Sequence, residues 1–146
     1  MVFRQRVGPL LQCSHYLWIT KGISMTIKSG EEVRREVMGD EFVDRALNAA
    51  DELTQPLQDY INDHCWGATW NRPGLELKTR SLITIGMLAA LKAPNELKGH
   101  VRGALRNGCS KEEIRETLLH SAVYCGAPAA QEAFRAAKEI LANWEG

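Results

Sequence analysis

From Glu31 onward, apolar residues recur at the three- and four-residue spacings of amphipathic helices. No segment alternates long enough to predict a strand. GEEVRREVMG predicts a short helix ending at Gly39. Asp40 is placed to cap the next one, EFVDRALNAADEL, with Phe42, Ala46, Ala49, Ala50 and Leu53 as the expected buried stripe. Pro56 suits the first turn of PLQDYINDHCWG, where Leu57, Tyr60, Ile61 and Cys65 keep the helical period. WGATWNRPGLELKTR then reads as a loop, punctuated by Trp66, Trp70, Arg72, Pro73 and Gly74. RSLITIGMLAALKA is hydrophobic nearly all round and is expected at the centre of the fold. Pro94 opens a further helix that Gly108 closes, and Ser110 to Glu113 form a capping box for the one after it. Gly126 stops that helix and Pro128 opens the last. The pattern predicts an all-α fold of about six helices with short connections.

Residues 1–30 read differently. They carry Arg4, Arg6, Lys21 and Lys28 but no acid before Glu31, and their apolar part, VGPLLQCSHYLWIT, is interrupted by Pro9. A basic, acid-poor leader and a weak secretory signal are two readings of such a segment. The third, favoured because MTIKSGEEVRREVMG reads as a natural beginning at Met25, is an upstream extension that lies peripheral to a domain spanning 31–146.

Composition narrows the function classes. At 146 residues the chain suits one domain with a real core, and 45% hydrophobic with 25% charged residues is ordinary globular usage. The formal net charge is zero, so neither a nucleic-acid footprint nor a polybasic membrane patch is signalled. No apolar run approaches the ~20 residues of a membrane span. Cys13, Cys65, Cys109 and Cys125 form no C-x-x-C pair, which suits reduced thiols in a cytoplasmic protein, each most simply a small buried hydrophobe.

Candidate chemistry concentrates between Glu96 and Gly126. Glu96 and His100 are four apart on one predicted helix, and Glu116, His120 and Tyr124 are four apart on the next, so each set projects from one face. For His100 the plain alternative is a surface ion pair with Glu96. For His120, set among Leu118, Leu119, Ala122 and Val123, it is an at least half-buried histidine bonded to Glu116. Two histidines on adjacent helices point to one pocket between them that holds an anion or carbonyl. A metal site has suitable donors but no H-x-x-x-H or H-E-x-x-H spacing. Cys125 sits at a helix C-terminus, which disfavours a thiolate, and Cys109 lacks an evident partner. Trp66 and Trp70 either plug the edge of the core or form a lid with Arg72 turned toward a carboxylate.

WGATWNRPGLELKTRSLITIGMLAAL, then HVRGALRNG, EEIRE and YCGAPAA before EAF, resemble the carboxymuconolactone decarboxylase family in order and spacing, from about Asp40 to Trp144. The wider superfamily includes AhpD-like alkylhydroperoxidases, which carry C-x-x-C-x-x-x-H. Anchored on His100, that motif would place its cysteines at Ala93 and Glu96, so the dithiol is missing, and a peroxiredoxin-type label belongs to the superfamily name. Within the decarboxylase branch, the family carries an aromatic residue where His64 stands and an acid where Ala68 stands.

The resemblance implies an AhpD-like helical bundle that assembles as a homo-oligomer, a trimer or hexamer. It implies cofactor-free, metal-free decarboxylation of 4-carboxymuconolactone or a related lactone acid to 3-oxoadipate enol-lactone, in protocatechuate breakdown by the β-ketoadipate route. Arg72, Arg80 or Arg102 would hold the small-molecule carboxylate. His100 would donate to the lactone oxygen or supply the proton, with Glu96 fixing its tautomer. His120, with Glu116 and Tyr124, would serve from the facing helix, and Trp66 and Trp70 would cover the pocket. No nucleic-acid or membrane partner is implied. The alternatives are an AhpD-like peroxidase, disfavoured by Ala93 and Glu96, and a non-catalytic assembly protein of the same fold.

Overall fold

The computed structural model describes residues 28–145. The expectations for the upstream extension, a start at Met25 and Cys13 all lie outside the described residues. Among those described there are seven α-helices, one π-helical segment and no strand. α1 (Gly30–Met38) opens with a complete capping box in which Ser29 accepts from the Glu32 N–H and Glu32 accepts from the Ser29 N–H. Gly39, at φ 90°, ends it where the sequence predicts.

α2 (Asp40–Asn48) corrects two expectations. Asp40 makes no side-chain cap, and the residue buried on this helix is Val43, whereas Leu53 is 85% exposed and Ala49 is exposed. The helix stops at Asn48, so Ala49, Ala50 and Leu53 never share its inward face. α3 (Gln55–Tyr60), with Pro56 in its first turn, continues without a break into a π-helical segment, Ile61–Trp70. The expected stripe is not buried: Leu57 and Tyr60 on α3 are exposed, and in the π segment the wider winding turns Trp66 inward and leaves Cys65 exposed. The expected loop therefore starts only at Asn71.

α4 (Leu77–Ala90) packs on α5 (Pro94–Arg106), α6 (Lys111–Cys125) and α7 (Ala127–Ala142), as its central placement predicts. The Ser110 capping box, the Gly108 stop at φ 81° and the Gly126 stop at φ 84° are all present. These four helices bury the main core around Ile85, Leu97, Val101, Ile114, Leu118 and Ile140. A second core joins Val33, Val37, Met38 and Val43 to Trp66. α5 bridges the two because Gly99 and Gly103, four apart, lie against α1. A Cβ on Gly103 would sit 3.2 Å from the Val37 carbonyl oxygen, and one on Gly99 would sit 3.1 Å from Met38 Cε. α4 is not covered all round, since Ile83, Met87 and Leu91 stay exposed on one side.

Candidate active site

His100 stands in the middle of α5, with the π segment over it. The indoles of Trp66 and Trp70 turn to the same side, their ring centroids 4.8 Å apart. The imidazole lies 6.2 Å from Trp66 and nearly parallel to it, at 8°, and 6.2 Å from Trp70 at 26°. These are offset stacks, the arrangement aromatic quadrupoles favour. Burial under the indoles pushes the His100 pKa down to about 4, with the Glu96 charge pulling weakly the other way. At neutral pH the ring is therefore uncharged, with one N–H to donate and one nitrogen lone pair to accept. Glu96 itself is exposed and makes no hydrogen bond to His100, so it acts on the ring through space.

Arg80, in the first turn of α4, donates from Nη2 to the Arg72 carbonyl oxygen at 3.0 Å, two residues beyond Trp70. The guanidinium thus sits at the end of the segment that carries the indoles. Its Nε–H is buried without a partner among the described residues. A donor left in that state costs about 1–3 kcal/mol, which a bound acceptor would recover. The Arg72 side chain is exposed, and only its carbonyl takes part. Arg102 is also exposed; two residues from His100, it points to roughly the opposite side of α5.

His120 has a different setting. The expected burial is not found: it is exposed, its ring 5.0 Å from that of Tyr124, which is itself 76% exposed. The physical reason is that Leu119 and Val123, the apolar neighbours that suggested a covered position, are exposed with it at 54% and 76%. Glu116 lies beside Arg115, not on His120. His120 lines an open groove of about 750 Å³ between α4 and α6, with Leu82, Ile83, Gly86, Leu119 and Val123. His100 is not part of that wall. The single pocket expected between the two histidines is not formed within one chain.

The thiols carry no chemistry at this site. Cys109 is buried, its Sγ–H directed at the Lys78 carbonyl oxygen, and burial raises its pKa. Cys65 is exposed, against the expectation of burial, and Cys125 is half-buried. Among the described residues no cluster of three or more His, Cys, Asp or Glu is placed to hold a metal ion, and no helix is long and apolar enough to cross a membrane. His64 and Ala68 are exposed on the π segment, with the His64 ring 4.6 Å from that of Tyr60.

Residues 55–139 match the model of the carboxymuconolactone decarboxylase family, a span that holds the π segment, His100 and Arg80. The chain is 49% identical over 104 residues to a nitrosuccinic acid decarboxylase of Metarhizium robertsii, covering 71% of this chain and 73% of that protein. It is 42% identical over 114 residues to the 4-carboxymuconolactone decarboxylase of Acinetobacter baylyi, covering 78% and 85%. An uncharacterized protein of Paracoccus denitrificans is 34% identical over 120 residues. An extended family match, a full helical scaffold and two relatives named as decarboxylases lead to one conclusion: the chain belongs to the carboxymuconolactone decarboxylase family and is a decarboxylase, a carboxy-lyase, of that family.

Proposed function

We propose that the chain decarboxylates a small acid that carries its own electron sink, with 4-carboxymuconolactone or a related lactone acid as the first reading. The observation that carries this is a neutral, half-buried imidazole beside two indoles, with the guanidinium of Arg80, whose Nε–H has no partner among the described residues, bonded just beyond the end of the indole-bearing segment. In the lactone acid, the bond from the ring carbon to the carboxylate breaks and carbon dioxide leaves. The electron pair moves through the ring double bond onto the lactone carbonyl oxygen. Charge develops on that oxygen, so a donor aimed at it lowers the barrier. His100 fills this role as a neutral N–H donor. With a pKa near 4 it holds no extra proton at pH 7 to act as a strong acid, so the ring carbon takes its proton from water. Arg80 is the carboxylate-binding residue of this reading, supported by an Nε–H that has no partner among the described residues. Trp66 and Trp70 shield the oxyanion from bulk water on the indole side, which strengthens the hydrogen bond to it, and the proton-donating water reaches the ring carbon from the opposite face. Glu96, exposed one turn before His100 on α5, adds negative charge beside the imidazole. The product would be 3-oxoadipate enol-lactone, in protocatechuate breakdown.

A second reading rests on the 49% identity to the nitrosuccinic acid decarboxylase. A nitro group on the carbon that loses carbon dioxide accepts the electron pair as a lactone carbonyl does, so the same donor at the same place serves both. Purified protein is to be assayed for carbon dioxide release from 4-carboxymuconolactone generated in situ and, separately, from nitrosuccinate. Faster turnover of the lactone supports the first reading, and faster turnover of the nitro acid supports the second. Release from neither above the uncatalysed rate overturns both.

The exposed α4–α6 face, with Ile83, Met87, Leu119, Val123 and Tyr124, supports assembly of several copies, a trimer or hexamer. His120, Glu116 and Tyr124 then belong to that contact or to a supporting position beside the site. Sedimentation velocity tests this: a multiple of the chain mass is expected, and a monomer at assay concentration contradicts it.

A further inference from the structure

Arg34, on α1, is 5% exposed, and its burial depresses its pKa. Among the described residues no carboxylate pairs with it, whereas its neighbour Arg35 pairs with Glu31 and Asp44. The partners of Arg34 are two neutral amides, with Nη1 donating to Gln58 Oε1 and to Asn62 Oδ1, each at 3.0 Å. A buried cation hydrogen-bonded only to amides is a poor stabilising device, since the Glu31 charge acts on it only through space and several kcal/mol of desolvation stay largely uncompensated. Its placement suggests another use. Gln58 lies at the end of α3 and Asn62 at the start of the π segment, so the two bonds straddle the junction where the winding changes. Trp66 is one turn further on.

Two other contacts hold the same segment to the same helix end. Gly30 lies so close that a Cβ there would stand 1.7 Å from the Asn62 carbonyl oxygen and 2.8 Å from the Gly67 nitrogen. At the far end, Asn71 Nδ2 donates to the Lys28 carbonyl oxygen at 2.7 Å. π winding is rare and poorly self-supporting. This one is clamped from outside at both ends.

We infer that Arg34 is a positioning residue of the site: through Gln58 and Asn62 it holds the π segment in the register that stacks Trp66 and Trp70 over His100. This rests on the reading that the reaction takes place beside His100. Among the described residues the hydrogen bonds of Arg34 go to Gln58 and Asn62 and to neither the indoles nor the imidazole. Neither Arg34 nor Gly30 stands out as a site residue in the sequence, because an arginine on an amphipathic helix reads as solvated surface.

The test uses the full chain with Arg34→Met, Arg34→Lys and, as a reference, Trp66→Phe. Two indoles 4.8 Å apart give an exciton couplet in circular dichroism, read with no substrate present. Arg34→Met is expected to keep the thermal midpoint or raise it, to lose the couplet to the level of Trp66→Phe, and to lower kcat by about tenfold or more with a smaller change in KM. Arg34→Lys, with one compact donor group for two acceptors, is expected to restore part of the couplet. A wild-type couplet in Arg34→Met overturns the inference. Should Arg34→Met fail to fold, Gln58→Met removes one of the two bonds and leaves Arg34 in place: a weakened couplet supports the inference and an unchanged one overturns it. Because the couplet needs no substrate, wild-type protein that turns over neither acid sinks the functional reading and leaves the positioning result standing.

Discussion

Two histidine stripes of almost the same design meet opposite fates in this chain. Each sits mid-helix with a glutamate four residues before it. His100 ends up beneath two indoles with its pKa pushed down to about 4, while His120 stands on an exposed face beside an exposed tyrosine. Neither helix makes the difference by itself. α5 is covered because Gly99 and Gly103 admit α1, and α1 in turn clamps the π segment across His100. α6 has no such cover among the described residues, because the helix beside it, α4, leaves Ile83, Met87 and Leu91 bare on the same side. What sets a histidine's chemistry is the element laid over it, and that element comes from elsewhere in the chain.

The contrast is broken most severely at the clamp. Gly30→Ala forces a Cβ into the Asn62 backbone, and the clash is with carbonyl and amide atoms that no rotamer change can move. Destabilisation at or above the top of the roughly 1–3 kcal/mol range for overpacking is expected, read from the urea midpoint.

A pH series sharpens it next. The folded pKa of His100, about 4, lies below its ordinary 6.5, so the unfolded chain binds more protons between those values. The contribution of the neutral ring is complete above pH 6.5 and is lost as pH falls toward 4. Its size is roughly 3 kcal/mol, from 1.36 kcal/mol per pH unit. Unfolding of wild type and His100→Gln across this window should converge as the pH falls, and parallel curves would contradict the burial. Ser110→Ala tests the other region. It removes the cap on which α6 depends and should cost about 1 kcal/mol by the same measurement. The smallest effect is expected for Val123→Ser, within ~0.5 kcal/mol for a single chain, while lowering the sedimenting mass if the α4–α6 face joins copies.

Much of the scaffold was legible because its signals are local. Ser110 with Glu113, Pro94, Gly39, Gly108 and Gly126 mark helix ends through capping and backbone conformation, which need no tertiary partner. The π segment was not legible. Ile61 and Cys65 keep an α-helical period and say nothing of the wider winding, which Gly30, Arg34 and Lys28 impose from another helix end. Reading Trp66 to Gly74 as loop hid the fact that the indoles form a roof. His100 was identified, but its burial was not, because the covering residues lie more than 25 positions away in sequence. His120 was judged by its neighbours, and those proved to be surface.

The most direct test compares the two histidines in one assay. Carbon dioxide release is measured for wild type, His100→Ala and His120→Ala with whichever acid the wild type turns over, folded state being verified by circular dichroism. His100→Ala is expected to lose at least ~10² in kcat, as the removal of an aimed donor does, and His120→Ala to stay within a few-fold of wild type. Near-normal turnover by His100→Ala, or equal losses in both variants, would contradict the assignment of the reaction to the covered histidine.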